Sequence, residues 1–156
     1  METTINKLKT LLQSKLTGPI SSFYIGDPIL LPESAMPCIA ISPNKSDITV
    51  ADNQRDNREH TIDIALIIDA RQYFNATPDK MVGTSFLMEM MEKEDADLTI
   101  NSNTILGLLR ENLSLSTNRS IIDISTIDYT TRRRSEDLIT LEAVLTVVVT
   151  LISNRS

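Results

Sequence analysis

The chain has 156 residues, 41% of them apolar, with 15 basic against 21 acidic side chains and a formal net charge of −6. That length fits one domain able to bury about two-thirds of its unfolded surface without disulfides or metal, and the apolar content excludes a disordered chain. Apolar runs of at most about ten residues are half of what a bilayer crossing needs, and no charged, apolar, small-residue leader opens the chain, so a soluble, intracellular-type protein is expected.

Ile5, Leu8, Leu11, Leu12 and Leu16 fall at helical spacings, Thr3 or Thr4 can supply the N-cap oxygen, and Gly18-Pro19 stops the run, which predicts an amphipathic first helix. Residues 22–25 read as a short strand that runs through the turn-forming Gly26-Asp27-Pro28 into an irregular segment. Cys38-Ile39-Ala40-Ile41 predicts a second short strand, buried on both faces and closed by Pro43-Asn44. From Asp47 to Glu59 the sequence turns polar, and residues 52–59 contain no apolar side chain, so they are read as loop. Strict alternation over 61–68 then predicts a half-buried strand, and the pair forms a long-looped antiparallel hairpin.

Thr77-Pro78-Asp79 predicts a helix start, with Thr77 as N-cap and proline at the first helical position. The helix is expected to reach about Lys93. Its apolar residues, among them Met81, Phe86, Met88, Met90 and Met91, cover more than one stripe, so it is deeply buried or buries a second face against a partner. A shorter third helix is predicted from Ser102 or Asn103 to Asn112, weakened by Gly107 by about 1 kcal/mol relative to alanine. Residues 120–131 read as a strand of uncertain register, 132–137 as a polar link, and 138–152 as a long alternating strand. Strands and helices segregate along the chain, which predicts a single-domain α+β fold with a mostly antiparallel sheet and helices packed on one face.

The raw material for catalysis is thin. The four glycines, Gly18, Gly26, Gly83 and Gly107, are not spaced to cradle a phosphate or build a nucleophile elbow. The single histidine, His60, reads as a strand-end surface residue, and the single cysteine, Cys38, as a small buried hydrophobe. No catalytic, cofactor-binding or metal residue is assigned. Glu89, Glu92, Glu94, Asp95 and Asp97 against Lys93 place a charge of −4 in nine residues. They read first as a solvated helix end, although acids at a helix C-terminus oppose the macrodipole. Arg132-Arg133-Arg134 reads as a solvated hairpin turn, then as a protein interface, and last as a nucleic-acid contact, because Glu136 and Asp137 follow at once.

The layout resembles the tail terminator (tail completion) proteins of long-tailed bacteriophages. The similarity is carried by the helix over 8–16, Tyr24-Ile25-Gly26-Asp27-Pro28, Met36-Pro37-Cys38-Ile39-Ala40-Ile41-Ser42-Pro43, the charged loop, the strand over 61–69, a helix pair and a long closing strand. Neck and head-closure proteins share much of this order. The resemblance implies a non-catalytic virion protein at the tail–neck junction, assembled in the host cytoplasm as a homohexameric ring. Its partners would be the tail tube protein and a neck or head-completion protein, with DNA only passing through the channel and no membrane. A small metal-dependent enzyme with an acidic site is the reading from another class. On the ring reading, Asp52, Arg55, Asp56 and Arg58 form a tube or neck contact loop that orders only against a partner. Val148 packs across a subunit boundary, and Arg132, Arg133 and Arg134 meet Glu92 and Glu94 of the next subunit.

Overall fold

In the computed structural model, which describes residues 1–28, 30–73 and 83–154, a six-stranded sheet carries three helices on one face. Helix α1 (Glu2–Leu16) buries Ile5, Leu8, Leu12 and Leu16, the stripe its spacing predicts. It starts earlier than expected: Met1 is the N-cap, so Thr3 and Thr4 lie inside the helix and neither caps it. Strands β1 (Ser22–Ile25), β2 (Cys38–Val50) and β3 (Arg55–Asp69) follow, then α2 (Thr84–Glu92), α3 (Ile105–Glu111), β4 (Ser114–Ser116), β5 (Arg119–Arg133) and β6 (Ile139–Asn154). The sheet order is β1-β2-β3-β6-β5-β4, antiparallel except for the β1–β2 pair. This is the single-domain α+β architecture expected.

The expected long loop is strand. β2 does not stop at Pro43-Asn44; a register shift between Pro43 and Lys45 lets it run on to Val50, paired with β3 from Asp56 upward. Such a bulge absorbs a proline that a regular central strand would not accept. The polar residues 55–59 also pair with β6, Arg55 opposite Asn154 and Glu59 opposite Thr150. Lack of apolar residues here reflects a sheet end that runs on past its helices, held by backbone pairing to both neighbouring strands.

Ile62, Ile64, Leu66 and Ile68 on β3, Ile39 and Ile41 on β2, and Ala143, Leu145, Val147 and Val149 on β6 form the main core with the three helices. On the opposite face, Cys38, Ala40, Ile67 and Leu138 are covered by Leu31 and Met36 of the segment between β1 and β2. The rest of that face, around Ser42, Asp63, Val144, Thr146 and Val148, has no covering layer among the described residues. From Thr140 to Leu151 β6 is paired along both edges, so there, Val148 included, only packing through the open face is left for another subunit.

The expected start of α2 at Thr77-Pro78-Asp79, with Met81 and Val82, lies outside the described residues. Leu87 and Met91 are buried, and Phe86 and Met90 pack at the core margin. The helix ends at Glu92, so Glu94, Asp95 and Asp97 stand in a turn beyond it and do not oppose its dipole from within. In α3 the N-cap is Thr104, not Ser102 or Asn103, and its hydroxyl accepts from the Gly107 amide.

Candidate functional site

At the sheet end, Asp52 builds its own turn. Its Oδ1 accepts from the Gln54 and Arg55 amides, both at 2.8 Å, and its Oδ2 from Arg55 Nε at 2.9 Å. These bonds, the Gln54 amide first, hold its carboxyl below the usual carboxylate range. The segment 52–59, expected to order only on a partner, is thus divided between a four-residue turn, 51–54, and the first residues of β3. Arg55, Asp56 and Arg58 are strand residues. Arg58, opposite Ile48 on one side and Leu151 on the other, lies on the helix side of the sheet. Arg119 of β5 is also opposite Leu151, which completes a row across four strands.

One row inward sits His60, which is not a surface residue: it is 2% exposed. The amino end of α1 covers it, with Thr4 Oγ1 3.2 Å from its Nδ1. Arg119 Nε donates to the same Thr4 oxygen at 3.2 Å, which leaves the hydroxyl proton for the imidazole and assigns it a neutral form. Burial first, then the nearby chain amino terminus, Arg58 and Arg119, push His60 down to about 4. Thr4 and Arg119 carry no sequence cue to this role, since their contacts span 56 and 115 residues. Cys38 is buried as expected, and burial pushes its thiol up to about 12, away from any reactive thiolate.

The arginine triplet separates into three roles. Arg134, its side chain 5% exposed, makes a two-pronged pair with Glu142 at 2.9 and 3.0 Å and donates to Asp27 Oδ1 at 2.8 Å and the Pro28 carbonyl at 3.1 Å. Thr140 Oγ1 donates to Glu142 Oε2 at 2.5 Å, so the buried carboxylate is fully engaged. Arg132 reaches Asp27 Oδ2 at 2.8 Å. Burial would raise the Asp27 carboxyl, but the two guanidiniums outweigh it and hold it low. Arg133 donates to the carbonyls of Ser135 and Glu136 in its own turn. Arg132 and Arg134 therefore spend their charge inside the chain, on Asp27 and Glu142, and not in the solvated turn first read for the triplet. Asp27 and Glu142, missed in the sequence, are the acids that neutralise these two.

Among the acids, Glu92 accepts from Tyr129 Oη at 2.9 Å, a contact that, after burial, raises the tyrosine pKa. Glu94, Asp95 and Asp97 are exposed on a tight turn. The Asp95 amide donates to Thr99 O at 2.7 Å, the Leu98 amide to Asp95 O at 2.9 Å, and Leu98 adopts φ 67°. Asp97 accepts from Thr99 and Asp95 from Asn101, while none of the three makes an ion pair among the described residues. Val148, half-buried, lies on the open face between Thr61 and Asp123.

No group of three metal-ligating side chains is assembled among the described residues. The larger hollows are open grooves. One of about 470 Å³ runs between α1 and residues 112–115, lined by Thr3, Asn6, Lys7 and Asn112 among others, and no activated nucleophile faces it. No helix among the described residues is long and apolar enough to cross a membrane. No protein-family model matches the chain, and no curated protein matches it.

Proposed function

We propose that the chain is a structural subunit forming a ring that caps the tail tube of a long-tailed bacteriophage, ends tube growth and presents the head-joining surface. The observation that carries this reading is a sheet much longer than its helix layer. Past His60 the β2–β3 end runs on beyond the helices, and Ile48 and Val50 there are 60% and 68% exposed. A monomer gains nothing from extending a ribbon into water, whereas a subunit that contacts neighbours and a tube needs such surface. The outer edge of β5 past Ile121 and that of β2 past Ile41 also have no strand beside them among the described residues. On the open face, Asp63, Asp123 and Asp128 are acidic, which suits a wall along which DNA slides without sticking.

Mass photometry of the purified protein and negative-stain images of its mixture with polymerising tail tubes test the reading. Rings with a central hole on tube ends, and tubes that stop lengthening, support it. Rings that bind the portal side and leave tubes growing assign the neck or head-closure role in its place.

A further inference from the structure

Away from the arginine triplet, Arg58 and Arg119 stand close together without a carboxylate partner among the described residues. They flank Leu151 on its two neighbouring strands, a separation of about 10 Å at the backbone. Among the described residues neither makes an ion pair. Among those residues Arg119 bonds the Thr4 hydroxyl, and Arg58 Nε is shielded from water and meets no hydrogen-bond partner. A shielded donor left unmade is costly, and two like charges beside the amino end of α1 add to that cost. The nearest acids in sequence are Glu2, exposed at the first turn of α1, and Asp56, one step nearer the turn on the same face as Arg58. Beside the arginines on that face stand the exposed Ile48 and Val50, paired with Arg58 and Asp56.

At the other end of the helix layer the acidic turn holds the complementary set. Glu94, Asp95 and Asp97 are exposed and make no ion pair among the described residues, and Leu98 among them is 79% exposed, on a turn fixed by its own backbone bonds. Glu92, at the root of this turn, is tied to Tyr129, which pairs with Ala143. The arginine row pairs with Leu151, eight residues further along β6, a distance of about 26 Å at roughly 3.3 Å per residue.

We propose that a second copy of this chain docks here: its acidic turn, Glu94, Asp95 and Asp97 with Leu98, seats on Arg58, Arg119, Ile48 and Val50. This rests on the ring reading and deepens it by assigning the subunit contact. Because the two patches are different and lie apart on one molecule, the contact is head-to-tail, the kind that closes into a ring when the rotation permits. Charge steers the encounter and the exposed apolar pairs exclude water from it.

Two charge-reversed variants test it, R58E/R119E and E94R/D97R. Each alone should raise the protein concentration needed for half-assembly by about tenfold or more in mass photometry. An equimolar mixture should restore assembly, since every interface between the two variants again pairs opposite charges. Restoration also shows that both are folded; should R58E/R119E lose its circular dichroism signature, R58Q/R119Q with E94R/D97R replaces it, each expected to weaken assembly and the wild type to weaken with added salt. Rings that form from either variant alone, or folded variants that fail to assemble both alone and mixed, overturn this docking and leave the ring reading standing. A wild type that stays monomeric in solution and on tube ends overturns both.

Discussion

Arg134 and Glu142 form an ion pair buried on both sides, 5% and 4% exposed, so the consequence of breaking it is asymmetric. Arg134→Met leaves the Glu142 charge uncompensated and should lower stability by about 3 to 5 kcal/mol in urea unfolding, whereas Arg134→Met with Glu142→Leu should recover much of that loss. Nothing in the local sequence announces the pair. Arg134 follows two other arginines at a turn, which reads as solvent, and its partner Asp27 lies 107 residues away. The same holds for His60: a position just after a polar stretch reads as surface, and only the packing of α1 over the sheet buries it. Cys38 was legible because its immediate neighbours are apolar on both sides.

His60 gives a pH dependence with a definite sign. Its folded value of about 4 lies below the ordinary 6.5, so between those limits the unfolded chain binds more protons and stability falls as pH falls. Full stabilisation is present above about pH 6.5 and the loss is complete near pH 4. Urea midpoints measured from pH 7 to pH 4 should decline in the wild type, and His60→Leu should flatten that decline. Asp27, held low by its arginines, adds a separate loss only below the usual carboxylate range, as pH falls through its depressed folded value.

At the scale of the element, α3 inverts a propensity argument. Gly107 weakens an isolated helix by about 1 kcal/mol against alanine, so Gly107→Ala looks stabilising. In the fold, a Cβ there would stand 2.1 Å from the Asn101 carbonyl oxygen and 3.0 Å from Ser102 Cα, both backbone atoms. Gly107→Ala should therefore lower the thermal midpoint by several degrees despite its better propensity, as calorimetry would show. Sequence periodicity located α1 and β6 well because each sets an apolar stripe against polar positions over many residues. It failed over 44–59, where few apolar residues mark a face and the strands are recognisable from their pairing with one another and with β6. It failed likewise at Pro43-Asn44, a turn signal in the chain and a bulge in the sheet.

For the whole molecule, the candidate interaction surface was legible as residue types but not as pairings. The −4 segment and an excess of arginine are visible in the chain; which arginines are already neutralised is a property of the fold. Val148 belongs to this scale. It lies half-buried on the open face, between Thr61 and Asp123, with no layer above it among the described residues. On the ring reading, Val148→Lys should change the thermal midpoint of the isolated subunit by only a few degrees while reducing assembled mass in mass photometry. Unchanged assembly with a strongly lowered midpoint would place Val148 in the subunit's own folding core.

The central position of β6 also bears on how the protein comes into being. Arg55 pairs with Asn154, 99 residues later, so β3 waits with one edge open through the synthesis of both later helices and β5. At about 5 to 20 residues per second, a ribosome needs roughly 4 to 17 s to pass from the end of β3 to the end of β6. During that interval the nascent chain carries a long apolar strand edge in the crowded cell, and such distant pairings also close slowly once available. The strand that completes the sheet is the last to emerge, so a ribosome stalled before it releases a chain with no partner for either half, a natural client for chaperones.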